Sequence, residues 1–449
     1  MKLYFAEPTD VQQVQGPLRF GANGLRRLAD APGLPAFAGA GALPLPDGAH
    51  AVYLLVHPGQ GEPWRLLRCR TWDGVHYEEA TVVFTAPRRG PPTPWLGHAC
   101  VCPNPDSGEV LALAWGRCAE GGMGVWGYRT ADGTHWDALS EAPLYKDHDS
   151  FHVMWHAARQ QYVAYQITYQ PWPKPYADNI GGERRRVLHV RTSGDALTWD
   201  PPNLTAWPPA VPAERLVTPD AQDAPELEFY RLAVFPAAGR YVGMMLNYAA
   251  SPGAANVRHP HSKHGPHLGT EWWVSTDGLA WRRPFRDVFA AGEASGTVSH
   301  TPITIGGRHV WLYHDGVFGL PEDRLFFAGA LANCEFSTPL FAMPTRPLVL
   351  NAEFGYDGHP ARGMRGQGYL MAELRDEAGA VIPGFERERC LLHDVDGPAR
   401  RLYQTDRGLA TRLHWQGRLT RELAGRRVTL RLYLRDARVY ALGEDSQYA

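Results

Sequence analysis

Residues Thr71–Glu79 read TWDGVHYEE, and a segment of the same shape returns three times: TADGTHWDA at Thr130–Ala138, TSGDALTWDP at Thr192–Pro201 and STDGLAWRRP at Ser275–Pro284. Each sets an aromatic ring four residues after an aspartate: Asp73 with Tyr77, Asp132 with Trp136, Asp195 with Trp199, Asp277 with Trp281. Asp-Gly and Gly-Asp accept the positive φ of a tight hairpin. Each segment is therefore expected to join two antiparallel strands, with the aromatic packing across the hairpin.

Another hairpin precedes each of these turns. Alternating apolar runs meet around short turns at Gly41–Pro58, His98–Gly116, Phe151–Thr168, Phe229–Tyr248 and His300–Gly316. Five first hairpins and four recognisable second hairpins make five four-stranded units. Long helical periodicity is absent, and the best helix candidate is the short ANGLRRLADA at Ala22–Ala31. Four-stranded antiparallel units repeated in a ring describe a β-propeller of five blades. The fifth unit lacks the Asp-Gly signal, so its last strand is expected from ANCEFSTPLF (Ala332–Phe341) or from the N-terminal KLYFA (Lys2–Ala6). The repeat ends near Pro347. Beyond it, alternating segments at Leu348–Pro360, Gly368–Phe385, Leu409–Leu419 and Arg426–Leu442 suit a β-sandwich. The expected fold is all-β: a five-bladed propeller over residues 1–345 and a C-terminal β-sandwich over 346–449.

Composition agrees with a turn-rich β protein: 47 Gly, 38 Pro, 15 Trp, 19 Tyr and 16 Phe in 449 residues. Lys plus Arg is 45 against 47 Asp plus Glu, a balance that argues against nucleic acid as a partner. No run of eighteen apolar residues predicts a membrane span, and MKLYFAEPTDVQQVQ lacks the basic and apolar regions of a signal peptide. The six scattered cysteines then read as reduced thiols of a cytoplasmic protein, with Cys100 and Cys102 on one buried strand face. No cofactor is expected, and the oligomeric state is left open.

In a propeller blade the innermost strand starts on the face where the second and third strands connect. Those connections are long here: YQPWPKPYADNIGGERRR at Tyr169–Arg186, the histidine-rich Tyr248–Gly269, and DGVFGLPEDR at Asp315–Arg324. Polar residues at the heads of the inner strands converge on that face: His98; Asp147, His148 and Asp149; Asp223, Glu226, Glu228 and Tyr230; Glu293 and His300. The first blade offers no carboxylate. Acids and histidines from different blades facing one funnel perturb one another as active sites require. Trp95, Trp155, Trp172, Tyr176 and Trp272 are candidate platforms for a sugar ring, with Trp172 and Tyr176 favoured by their place in a long loop. Arg184–Arg186 end a long loop and are candidates to bind an acidic sugar, although by default they read as a solvated charge run. His259, His261, His264 and His267 fit no zinc spacing, so no metal site is expected.

These residues together resemble the five-bladed glycoside hydrolases of the invertase and arabinanase superfamily, and more narrowly invertase-like or sialidase-like bacterial glycosidases with a C-terminal β-sandwich. The resemblance covers nearly the whole chain in layout. It implies a carbohydrate substrate and three cooperating carboxylates. Asp149 is similar in position to the superfamily's third-blade aspartate, which fixes the sugar and stabilises the transition state. Glu228, or Glu226 on the same strand face, is similar to its fourth-blade general acid. The first-blade aspartate has no counterpart, and Asp147, Asp223 and Glu293 are the candidates to replace it. The resemblance thus implies Asp149 and Glu228 as the catalytic pair, with His98, Asp147, Trp172, Tyr176, Glu226, Tyr230 and His300 contacting substrate. Two other readings stay open: a His/Tyr- or metal-dependent polysaccharide lyase using His98, His300 and Tyr230 with an arginine neutralising a uronate, and a non-catalytic propeller that binds carbohydrate or protein.

Overall fold

The computed structural model describes residues 2–31, 33–35, 37, 39–56, 63–85, 99–117, 122–173, 183–202, 211, 213–225, 227–249, 267–286, 288, 290–294, 301–313, 315–354, 368–393 and 410–444. Among them the chain is all-β, with only 3-10 turns of three or four residues between strands. No helix is long and apolar enough to cross a membrane. Two compact units are present: Gly24–Gly319, and Met1–Asn23 with Leu320–Ala449.

Among the described residues, the Gly24–Gly319 unit holds five four-stranded antiparallel sheets. Sheet I comprises Gly39–Pro44, His50–Val56, Arg65–Thr71 and Thr81–Thr85; sheet II, Ala99–Pro103, Val110–Arg117, Met123–Thr130 and Asp137–Ala138. Sheet III comprises Phe151–His156, Gln161–Pro171, Arg184–Ser193 and Leu216–Val217; sheet IV, Leu227–Ala237, Arg240–Ala249, His267–Ser275 and Arg282–Phe285. Sheet V takes Ile303–Ile305, Arg308–Tyr313 and Gly316–Pro321, and its fourth strand is Arg26–Asp30 from the start of the chain.

Alternation along each strand buries both faces of each sheet. In His50–Val56, Ala51, Tyr53 and Leu55 pack against Val101, Ala112 and Tyr128 of sheet II. Val52, Leu54 and Val56 pack against Ile303, Val310 and Leu312 of sheet V. Sheets II and III meet through Leu111, Leu113, Phe151 and Val153, and sheets III and IV through Val163, Tyr165, Leu232 and Val234. Phe235 and Trp272 of sheet IV lie 5.4 and 6.1 Å from Trp311 of sheet V. The facing cores therefore form a closed cycle, I–II–III–IV–V–I.

The repeated turns are the joints of this cycle. The Asp73 carboxylate accepts the amides of Val75 and His76, and Asp132, Asp195 and Asp277 accept the equivalent pairs. The hydroxyls of Thr71, Thr130 and Ser275 accept the glycine amides three residues on. The aromatics reach beyond their own hairpins: Trp281 lies 6.4 Å from Trp273 across its own turn, and the rings also meet the sheet before. Trp136 meets Tyr53 of sheet I, Trp199 meets Tyr145, which bridges to Val125 of sheet II, and Trp281 meets Tyr165 of sheet III. Gly133 carries a φ of 78°, and a Cβ there would run into the Tyr53 hydroxyl, so glycine is required twice over.

Three expectations are corrected. Ala22–Ala31 is not helical: Arg26–Asp30 pairs with Gly316–Gly319 as the closing strand of sheet V. Neither Lys2–Ala6 nor Ala332–Phe341 fills that place, because both belong to the other unit. Asp315–Arg324 is not a long loop, since Gly316–Pro321 is a strand. The second unit holds two six-stranded sheets, one centred on Ala437–Glu444 and Leu348–Phe354, the other on Arg427–Arg435 and Tyr369–Arg375. Leu350, Leu370, Leu430, Leu432 and Trp415 are fully buried within it. Its strands Arg19–Ala22 and Phe326–Ala330 place both ends of the first expected domain in this unit, so the division does not fall at 345/346.

Candidate active site

Sheets III and IV bring a charged cluster together where Phe151–His156 and Leu227–Ala237 begin. Leu227 and Phe229, then Leu232 and Val234, all enter the core shared with sheet III. The parity changes because Tyr230 is an extra residue between the Phe229 and Arg231 pairings, a β-bulge. Bulges re-aim side chains where strands meet functional sites. Here Tyr230 is set beside Leu246 and Tyr248, and Glu228 lies on the pairing next to Asn247, opposite Tyr248.

Glu228 is fully buried, and its Oε2 lies 2.5 Å from Nη1 of Arg186, itself 1% exposed. The guanidinium of Arg186 is enclosed by three rings, 5.2 Å from Tyr248, 5.6 Å from Tyr230 and 6.0 Å from Tyr169. Burial opposes its charge, but the Glu228 carboxylate and the neighbouring phenols outweigh burial and hold its pKa above the ordinary arginine value. Arg186 Nε lies 3.4 Å from Nε2 of His148, whose ring is edge-on to Tyr169 and Tyr230. His148 Nδ1 in turn lies 2.8 Å from Oδ1 of Asp149. Close contacts thus run from Asp149 through His148 and Arg186 to Glu228, with the Ser150 amide donating to His148 Nδ1 at 3.0 Å. Asp149 is the more accessible acid, with 16% of its side chain exposed against 1% for Glu228. Arg231 is wholly buried beside them: burial pulls its pKa down to about 10, against the charge of Asp149 among others.

Asp147 occupies a different place from the substrate contact expected of it. Its carboxylate is sealed from solvent, with Oδ2 on His189 at 3.0 Å and Arg191 at 2.7 Å and Oδ1 accepting the His148 amide. Burial pushes its pKa up, yet these partners win and hold it below the usual carboxylate value. Asp147 therefore braces the base of the site. Asp223 sits in another closed network, bonded to Arg283 and Arg286, with Glu271 also on Arg283. Glu293 accepts the Arg27 amide at 2.8 Å and so serves the strand that closes sheet V.

Trp172 follows the second strand of sheet III, with the Arg185 guanidinium 3.8 Å from its ring centre. Two other proposed sugar platforms are structural. Trp272 is fully buried between sheets IV and V, and Trp155 donates to Asp106 against Tyr162. Trp95, His98, Tyr176, Glu226 and His300 lie outside the described residues, as does most of the histidine-rich segment. Among the described residues, no group of three or more His, Cys, Asp or Glu is placed to hold a metal ion.

Arg186 is the residue whose place sequence reasoning missed, because Arg184–Arg186 read by default as a solvated run. The signal was its parity: Arg186 alternates with Leu188 and Val190 on a strand face turned toward the next sheet.

No protein-family model matches the chain, and no curated protein matches it in sequence. Solved structures to which it is similar include a Bombyx mori GH32 β-fructofuranosidase, at 8% identity and a TM-score of 0.39, over 93% of this chain and 94% of that one. A Schwanniomyces occidentalis fructofuranosidase complexed with fructose matches at 10% identity and a TM-score of 0.35, over 94% and 97% of the two chains. A thermostable family-43 glycoside hydrolase matches at 12% identity and a TM-score of 0.36, over 69% and 85%.

Proposed function

We propose that the chain is a glycoside hydrolase built as a five-bladed β-propeller followed by a β-sandwich, and that Asp149 and Glu228 are its paired carboxylates. The closed cycle of five facing cores supports the propeller reading. The observation that carries the function is the run of close contacts from Asp149 through His148 and Arg186 to Glu228, which joins acids of two sheets at one end of the unit. Asp149, the accessible acid, acts on the glycosidic bond and on the developing charge of the sugar. Glu228, locked to Arg186, supplies fixed negative charge and reaches the reaction only when a bound sugar displaces that partner. One carboxyl must protonate the departing oxygen while the other acts as base or nucleophile, which is the division of labour glycoside cleavage needs. Tyr230 and Trp172 offer ring faces to the sugar's C–H edges.

Purified protein tested on a broad glycoside and oligosaccharide panel, beside folded Asp149→Asn and Glu228→Gln, checks this. Turnover should fall by about 10²–10⁴ in Asp149→Asn; undiminished turnover in both variants defeats the assignment. A lyase is the second reading, favoured by the close grouping of His148, Tyr230 and two arginines. Products absorbing in the ultraviolet as unsaturated sugars separate it from a hydrolase.

A further inference from the structure

At the same end of sheet III, a second arginine is enclosed without an acid of its own. Strand alternation turns Arg185 to the opposite side from Arg186, and it is 6% exposed. Its Nε donates to Gln170 Oε1 at 3.2 Å, and its Cζ lies 3.8 Å from the centre of the Trp172 ring. Among the described residues no carboxylate forms an ion pair with it. The acids whose charge reaches it, Glu228 and Asp223, are already held by Arg186 and by Arg283 and Arg286. Burial lowers its pKa despite them. A guanidinium this enclosed is costly unless an anion meets it.

The geometry says what kind of anion. Trp172 covers one side of the guanidinium and Gln170 takes Nε, which leaves Nη1 and Nη2 as an end-on fork. Such a fork matches the two oxygens of a carboxylate with parallel hydrogen bonds. The indole beside it gives an apolar surface for the ring that bears the carboxylate. We propose that Arg185 and Trp172 form a subsite for the carboxylate of an acidic sugar, so that the substrate is a uronate-bearing glycoside. This rests on the glycosidase reading and narrows it.

The test measures binding of methyl β-D-glucuronide and methyl α-D-galacturonide beside their neutral counterparts, the methyl glucoside and galactoside, at neutral pH. Wild type, Arg185→Gln and Arg185→Lys are compared by calorimetry, with turnover of the matching aryl glycosides in parallel. At least one uronide should bind wild type about tenfold or more tighter than its neutral twin. Arg185→Gln should erase that preference, and Arg185→Lys should retain only part of it, because an ammonium lacks the fork. Equal binding, no binding of any of the four, or a preference that survives Arg185→Gln overturns the subsite. Lost stability with the preference unchanged also overturns it, since that is the signature of a purely structural arginine. A preference without turnover leaves the subsite standing and removes the glycosidase reading. Turnover of neutral glycosides with no preference for a uronide in wild type does the reverse.

Discussion

Replacing Arg186 by methionine tests whether the centre of the site is held by charge. The substitution keeps an unbranched side chain among Tyr169, Tyr230 and Tyr248 but strips Glu228 of the guanidinium 2.5 Å away. Removing one partner of a buried pair costs about 3–5 kcal/mol, because the other charge stays buried without compensation. Loss of the cation from a desolvated aromatic cage adds about 1–2 kcal/mol, and apolar burial of the methionine returns a similar amount. The net expectation is a loss of about 4 kcal/mol, or about 8 °C in Tm at roughly 2 °C per kcal/mol for a unit of this size. Urea titration followed by tryptophan fluorescence, with thermal melts alongside, reads both quantities. The double variant Arg186→Met/Glu228→Gln removes both charges and should recover about 2 kcal/mol or more of the loss. A single variant within about 1 kcal/mol of wild type, or a double variant less stable than the single one, refutes the reasoning.

Three further outcomes are expected. His309 lies against Phe235 and Trp311, and burial pushes its pKa down to about 4 from the 6.5 of a free histidine. The unfolded chain takes up a proton below pH 6.5 that the folded chain refuses, so stability falls as pH drops from there toward 4, by up to about 3 kcal/mol. His309→Phe should flatten that stretch of a urea-midpoint profile, and a profile with unchanged slope would count against the assignment. Gly133→Ala puts a methyl group into the Tyr53 hydroxyl at a φ of 78° and should cost about 1–3 kcal/mol by the same titration. Cys69, Cys100, Cys102, Cys334 and Cys390 are buried, and burial raises every one of their thiol pKa values, those of Cys69 and Cys100 to about 11. Mass spectrometry after brief iodoacetamide treatment of folded protein should find these five unmodified, and full modification only in denaturant.

What the sequence made legible was local chemistry. The Asp73, Asp132, Asp195 and Asp277 turns announce themselves because aspartate and glycine at those spacings are required by the turn itself. Each hairpin then follows from alternation within about twenty residues. The position of Asp149 at the head of its strand was equally readable. What depends on a distant partner was not. Arg26–Asp30 looks helical from its Leu, Arg and Ala content, but tertiary pairing with Gly316–Gly319 overrides that weak preference. Asp147 and Arg186 carry the same letters as surface residues. Their burial is set by His189 and Arg191 in one case and by Glu228 on another sheet in the other.

The origin of the last strand of sheet V also sets a timetable for synthesis. Arg26–Asp30 is made early, whereas its partner Gly316–Gly319 is made late. With roughly 290 residues to translate in between, at about 5–20 residues per second, the early strand waits on the order of 15–60 seconds beside the ribosome for its place. During that interval it exposes free amides and carbonyls that any other nascent edge could capture. The ring is therefore completed only at the end, by the piece of it that was made first.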